Sequence, residues 1–448
     1  MRNKRQLHLN AFLMETGHHE AAWRLPESNP RADFDIDYWV GLAQLLESAK
    51  FDSLFFGDGL ALLGTGEFRP PGQLDPLILV TALAQVTERI GLIATVSTTY
   101  NSPFHLARRL ASIDHISHGR VGWNIVTSAD ADHAANFGLV DSPDHATRYG
   151  RADEFLQVAM KLWDSWETEA VVADKSTGQY IDTSRLHKIN HEGKHFKVAG
   201  PLHVERPPQG YPLLVQAGAS EDGKNFAARY GEAIFTAHYT FERASEFYRD
   251  IKDRAISAGR DPDEVIILPG IVPIIGATEA EASARDRQLN DLRVPEYGLG
   301  QLAWALEADP AELVLDEPLP AAVIDRKREG FQSRADLIIE LAVREQLTVR
   351  EILSRLGGGR GHFTCVGTAS QVADSMIEWF DGGAADGFTI MAPSLPTDLV
   401  TFVDQVVPIL RRRGYFRDDY NGSTLRDHYG LAVPKNRFHK APQPQSRI

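Results

Sequence analysis

Cys365 is the only cysteine among 448 residues, so no intrachain disulfide framework exists and a reducing compartment is favoured. Positive charge is in deficit. Asp plus Glu (61) exceeds Lys plus Arg (47), giving a net charge of −14, which argues against nonspecific binding to nucleic acid or to an anionic membrane. Long apolar runs are missing as well: the longest, Val265 to Ala277, is broken by Pro269, Gly270, Pro273 and Gly276 and is too short to span a bilayer. No apolar segment closed by a small-residue cleavage site follows the N-terminus, so no signal peptide is read and a soluble cytoplasmic protein is expected. A dinucleotide fingerprint is also absent, because glycine pairs such as Gly57/Gly59 and Gly298/Gly300 lack the third glycine.

What the chain does have is an alternation of short β-rich runs with longer helical patterns, the signature of parallel strands joined by helical crossovers. Eight runs stand out: Leu7–Met14, Ser53–Phe56, Ile90–Ser97, Val121–Val126, Leu213–Gln216, Ala233–Thr236, Val265–Ile275 and Gly387–Met391. They are Val-, Ile-, Leu- and Phe-rich without polar alternation, as expected of strands buried on both faces. Between them, Asp37, Ser102 with Pro103, and Ser370 read as helix starts, and Phe155, Val158, Leu162 and Trp166 form an apolar helical stripe. Eight strand–helix units predict an α/β fold, a closed (β/α)8 TIM barrel with insertions. The whole chain, 1–448, reads as a single domain with insertions at about 167–212 and 294–365 and a proline-rich tail from about 434. Neither insertion shows an apolar pattern that suggests a core of its own.

Two motifs resemble known sites and fail on chemistry. Gly218 to Lys224 nearly satisfies a Walker A loop, but Asn225 stands where a hydroxyl is needed for magnesium, and Glu221 with Asp222 would repel a triphosphate. A single phosphate monoester is easier to hold there, with Ser220 and the first free N–H groups of a helix as donors; the plain alternative is that Ser220 only caps the helix. His191-Glu192-Gly193-Lys194-His195 matches H-E-x-x-H, yet Gly193 and the strand-like Phe196-Lys197-Val198 point to a hairpin, and no metal site is assigned.

The ends of the proposed strands concentrate polar groups: Asp58, Thr95, Ser97, Asn124, Thr127 and Ser220, all of which a barrel brings to one mouth. His145, Arg148 and Tyr149 stand within one helical turn near that mouth. His18 and His19, after the first strand, are candidates for acid–base work because imidazole titrates near neutrality, although solvated loop histidines are common. Phe12, Phe55 and Trp123 can line the mouth and exclude water, or simply fill the core.

Met14 to His19 with Ala22-Trp23-Arg24, Phe55-Phe56-Gly57-Asp58, Gly119 to Ser128, His145 to Tyr149, Gln216 to Ser220 and Ala384 to Phe388 together resemble one family of FMN-dependent monooxygenases. It belongs to the bacterial-luciferase superfamily, in the branch of nitrilotriacetate, EDTA and dibenzothiophene-sulfone monooxygenases. The resemblance runs along nearly the whole chain. It implies that Asp58, Thr95 and Asn124 border the flavin ring and that His145, Tyr149 and Ser220 hold the ribityl phosphate. It further implies a homodimer or homotetramer, and reduced FMN supplied by a separate NAD(P)H:flavin reductase, with dioxygen as co-substrate. One oxygen atom would go to a small organic substrate such as a sulfone, amine chelator or hydrocarbon, and His18 or His19 would steer proton transfer. Three rivals remain open: a deazaflavin-dependent oxidoreductase on the same barrel, a noncatalytic flavin-binding protein, and a metal-dependent barrel hydrolase.

Overall fold

A computed structural model describes residues 5–439, apart from 63–65, 71, 73, 129, 141–143, 329–331, 357 and 360. The eight expected runs are all strands, labelled here as the barrel strands β1 (His8–Leu13), β2 (Ser53–Phe56), β3 (Gly91–Ser97), β4 (Val121–Val126), β5 (Leu213–Gln216), β6 (Ala233–Thr236), β7 (Ile266–Gly276) and β8 (Gly387–Ile390). Every pairing among them is parallel, and β6 pairs with β7 while β8 pairs with β1, so the sheet closes. The strand Phe363–Thr368 adds a ninth member outside the barrel, along the distal half of β7.

Helix starts are set one or two residues away from some sequence expectations. Asp35, not Asp37, caps the helix Ile36–Ser48, and Thr368 with Gln371 forms a capping box ahead of Ala369–Asp381 where Ser370 was expected. Ser102 precedes Pro103–Ile116, with proline at the first helical position as expected, but makes no side-chain cap bond. The H-E-x-x-H segment is the expected hairpin, His191–Glu192 against Lys197–Val198. Glu154 straps it to the long helix His145–Trp163 by accepting from the His195 and Phe196 amides at 2.9 Å and meeting His191 Nε2 at 3.0 Å.

The second insertion departs from expectation. It packs around a hydrophobic cluster of its own that includes Leu302, Leu306, Leu319, Val323, Ile338, Ala342, Val349 and Ile352. Its apolar positions are spread over three helices, Pro295–Leu306, Gln332–Glu345 and Val349–Leu356, and the loops between them, so the cluster exists only once these are brought together. The tail, as far as residue 439, wraps the first insertion: Asn436 Nδ2 donates to the Asp164 and Trp166 carbonyls at 3.0 and 2.8 Å, and Phe438 stacks on His187. Residues 440–448 lie outside the described part.

The N-terminal end of the barrel is plugged from below. Leu425, on the short helix Leu425–His428, enters between β3 and β4, where a Cβ on Gly91 would collide with its side chain and one on Gly122 would crowd it at 3.3 Å. Tyr429 OH follows it and meets Ser53 Oγ at 3.0 Å, and both residues pack with Phe55, Ile93, Leu213 and Leu268 inside the barrel. Beside the plug, buried Asp52 is held ionised by Arg417 and His8 against the cost of its burial. Leu425→Ala should therefore lower the unfolding free energy by about 2–5 kcal/mol, read from urea denaturation. A loss below about 0.5 kcal/mol would show that the plug does not fill the barrel.

Candidate active site

Because all eight strands run the same way, their C-terminal ends share one rim, and a cavity of about 590 Å³ opens there. Phe12 and Phe235 line it 5.6 Å apart, and the interior Phe55 packs against both, edge to face at 4.6 Å from Phe12 and 5.6 Å from Phe235. Trp123 is not part of this group. Side chains alternate along a strand, so with Asn124 facing inward Trp123 faces the outer helices, where it packs against Phe155 and donates to the Val96 carbonyl. A second cavity of about 320 Å³ shares Ala61, Asp130, His133 and Trp304 with the first and extends beneath the second insertion.

The loop after β1 sets the first wall. Gly17 has φ +133°, and a Cβ there would strike the backbone of Pro393 and Ser394, so only glycine lets this loop dock on the one after β8. The docking bonds are His18 N–H to the Ala392 carbonyl and His19 N–H to the Pro393 carbonyl, both 3.0 Å. Thus fixed, His18 lines the cavity, its Nε2 2.9 Å from the Phe12 carbonyl oxygen. Carbonyl oxygen only accepts, so Nε2 carries the proton and Nδ1 keeps a lone pair; Nδ1 is buried and has no partner. Burial pulls the His18 pKa down to about 3, so the ring is neutral throughout the neutral range. His19 points elsewhere, under Gly358 of the second insertion, and burial lowers it to about 4. Of the two candidates, only His18 borders the cavity.

Asp58, after β2, also lines the cavity. It opens onto the mouth, yet surrounding protein and the neighbouring Asp75 push its carboxyl up to about 6. Thr95 and Asn124 sit opposite one another in register on β3 and β4. Asn124 Nδ2 donates to Thr95 Oγ1 at 2.9 Å, and Thr95 Oγ1 donates to the Phe56 carbonyl at 2.7 Å, which leaves buried Asn124 Oδ1 with no partner. Gln216 Oε1 on β5 is buried and partnerless too.

Three further candidates meet where β5 turns into the helix Glu221–Tyr230. Ser220 is the N-cap, its Oγ accepting from Gly223 N–H at 3.2 Å. His145 Nε2 stands 3.4 Å from that Oγ, and its Nδ1 pairs with Asp222 at 2.9 Å. Tyr149 OH closes the group, so near Gly218 and Gly223 that a Cβ on either would lie 3.0 Å from it. Here the two glycines let a turn, a helix start and a phenol converge, which suits an oxyanion. Ser97 and Thr127 remain at the rim, Ser97 Oγ accepting from Ser128 Oγ at 2.8 Å.

Sequence reasoning missed several cavity residues. Glu15, paired with buried Arg69, lies on the loop after β1, and only its burial marks it. Arg334 and His362 come from the second insertion; His362 is fully buried with its pKa well below the usual value, and it stacks on Phe235 at 5.0 Å. No motif signals either one. Among the described residues no cluster of potential metal ligands occurs.

Fold and rim together define a (β/α)8-barrel enzyme with its site at the C-terminal mouth. Residues 12–386 match the luciferase-like monooxygenase family, and the chain belongs to that family. It is 47% identical over 438 residues to the N-acetyl-S-(2-succino)cysteine monooxygenase of Bacillus subtilis, covering 98% of this chain and 99% of that protein. To nitrilotriacetate monooxygenase component A of Aminobacter aminovorans it is 44% identical, with 96% and 98% covered. Among solved structures, a riboflavin lyase with modified FMN and riboflavin superposes with a TM-score of 0.86 at 31% identity, covering 96% of both chains.

The Asp58 carboxyl yields a pH test. Its value in the fold, about 6, lies above the ordinary 3.8, so between these two pH values the folded protein keeps a proton that the unfolded chain releases. Stability attributable to this group falls as pH rises across that window and is flat above it. Asp58→Asn should remove that component when the unfolding free energies of both proteins are compared from pH 4 to 7. Parallel curves would contradict it.

Proposed function

We propose that this protein is the oxygenase component of a two-component system, which takes reduced FMN from a separate NAD(P)H:flavin reductase and uses dioxygen to oxygenate a small organic substrate. The observation that carries this reading is the pairing, on one rim, of an oxyanion cradle at Ser220 with a deep cavity lined by unsatisfied polar groups. A phosphorylated, planar, polar-edged cofactor answers both. The Ser220 hydroxyl and the first amides of the helix Glu221–Tyr230 would hold the phosphate, with His145 and Tyr149 beside them. Asn124 Oδ1 is free to accept from a ring N–H, and Thr95 fixes the amide that presents it. Asp58 would border the ring from β2.

Bound reduced flavin supplies the two electrons that activate dioxygen; one oxygen atom enters the substrate and the other leaves as water. The chain's own contribution is orientation, dryness and proton control. Phe12 and Phe235, backed by Phe55, exclude water where they line the cavity. His18 acts as a neutral hydrogen-bond acceptor at Nδ1 and not as an imidazolium acid, since its proton sits on Nε2 against the Phe12 carbonyl. His19, turned under the insertion, positions that loop. Relatives act on N-acetyl-S-(2-succino)cysteine and on nitrilotriacetate, which makes these two compounds the first substrates to test. We place the protein in the cytoplasm as a homodimer or homotetramer, a single elaborated domain; no helix among the described residues is long and apolar enough to cross a membrane.

Photoreduced FMN supplied under ¹⁸O₂ tests the reading. One ¹⁸O atom should appear in the product, with oxygen uptake that rises with substrate. Uptake equal to that of free reduced FMN, with unlabelled substrate recovered, would contradict it, and turnover of a reduced deazaflavin without oxygen would assign hydride transfer instead.

A further inference from the structure

Arg334 lies in the first turn of the helix Gln332–Glu345, in the second insertion, and faces both the mouth cavity and a small cavity of about 60 Å³ beneath the insertion. Arg334 is partly buried, and several buried arginines of this chain have their charge answered. Arg69 meets Glu15, Arg417 meets Asp52, and Arg426 grips Glu232 with two bonds of 2.6 and 3.0 Å. Arg120 is satisfied by carbonyl oxygens and the Thr87 hydroxyl. Arg334 is different: among the described residues its guanidinium has no hydrogen-bond partner and no ion pair, and the one titratable group whose field reaches it is the neutral phenol of Tyr239. A guanidinium drawn out of water without a counter-ion is costly, and it remains charged at any physiological pH.

Among the described residues no carboxylate that lines these cavities pairs with it: Asp58 faces the mouth cavity without an ion pair to Arg334, and Glu20 in the small cavity is taken by Arg293 at 2.7 Å. The histidines nearest in field, His362 with His18 and His238 behind it, are all held neutral by burial. His362 Nδ1 and His18 Nδ1 are themselves buried without partners, so three unsatisfied nitrogen centres border the same end of the cavity. Glu15 is committed to Arg69, and Asp130 accepts from Asp132 N–H at the start of its helix and from Trp304 Nε1. Phe235, Trp304 and Met391 give the mouth cavity an apolar wall, and in the small cavity Arg334 shares the lining with the Glu20–Arg293 pair, Gln301 and the apolar Leu302, Ile338 and Leu353.

We propose that Arg334 is the substrate-binding residue for a carboxylate, and that the substrates of this protein are organic anions with an apolar body and a carboxylate at the end remote from the barrel. This rests on reading the mouth cavity as the oxygenase site. One cation beside neutral imidazoles matches a planar monoanion, which the guanidinium fork can take with two parallel bonds. Arg334 comes from the insertion and Asp58, Thr95 and Asn124 come from the strands, so a carboxylate held by Arg334 lays the rest of the molecule across the mouth. The insertion then confers the preference for anions, and the barrel keeps the cofactor.

Calorimetry on the protein loaded with oxidised FMN tests this, with succinate, its uncharged dimethyl ester and methyl phosphate as probes. Wild type should bind succinate more tightly than either of the others. Arg334→Gln should weaken succinate about 10- to 100-fold, the range for a lost charge-assisted bond, and Arg334→Lys should weaken it less. Dimethyl succinate affinity and FMN affinity should stay unchanged in both variants, the latter showing that the fold is intact. Succinate bound no better than its ester, or retained by Arg334→Gln, overturns the proposal, and so does a preference for methyl phosphate. Loss of succinate in the variant from a protein that incorporates no ¹⁸O into any substrate would sink the oxygenase reading and leave the carboxylate site standing.

Discussion

The common direction of the eight strands is the constraint on which everything else depends. Parallel pairing from β1 round to β8 forces each crossover through a helix and delivers every strand's C-terminal end to the same rim. Asp58, Thr95, Asn124 and Ser220 are separated by up to about a third of the chain and become neighbours only because of this. The opposite end pays no such role and is sealed, with Leu425 and Tyr429 driven into space that Gly91 and Gly122 leave open. A barrel open at one end and plugged at the other has one place for a small molecule.

At that place the usual rule that buried polar groups find partners is relaxed. Asn124 Oδ1, Gln216 Oε1, His18 Nδ1 and His362 Nδ1 are all buried and unbonded, and the Arg334 charge is unanswered. Elsewhere the chain satisfies far more demanding groups, as at Arg120, or at Asp164, which takes Arg206, Arg437 and the Tyr211 hydroxyl. Other buried unbonded atoms lie elsewhere, such as His428 Nδ1 on the plug helix and Arg206 Nε, but these four share the mouth with the Arg334 charge. Incomplete hydrogen bonding there is what a site looks like when its partners arrive with the ligand. The neutral histidines belong to the same logic, since desolvation lets them accept or donate without adding charge to a cavity that already holds a cation.

The barrel was legible because each strand is a local apolar run and each helix has local punctuation; the eight runs are the eight barrel strands, displaced by a residue at some ends. The hairpin at Gly193 was legible for a similar reason, glycine and proline being local signals. Cap positions were less so: Asp35 and Asp37 are both acceptable caps, and the choice depends on how the preceding turn enters. The insertion was the least readable part, because its cluster is assembled from three helices and the loops between them, with three or four residues from each helix and alanines among them. Arg334 and His362 could not have been singled out from the sequence. Their character comes from burial against strands nearly a hundred residues or more away, and nothing in a lone arginine or histidine announces that its partners are missing. Trp123 had two readings in the sequence, mouth lining and core filling, and core filling holds because alternation along the strand sends it outward.

The central claim is that one rim holds the phosphate of a flavin at Ser220 while the ring lies over the mouth, and comparing FMN with riboflavin tests it most directly. If Ser220 and the helix behind it grip the phosphate, fluorescence titration will show FMN binding at least about tenfold more tightly than riboflavin. Ser220→Ala will then lose most of that difference and leave riboflavin affinity unchanged. Equal affinities for the two flavins in the native protein, or a preference for FMN that survives in Ser220→Ala, would place the phosphate elsewhere and contradict the arrangement described for this rim.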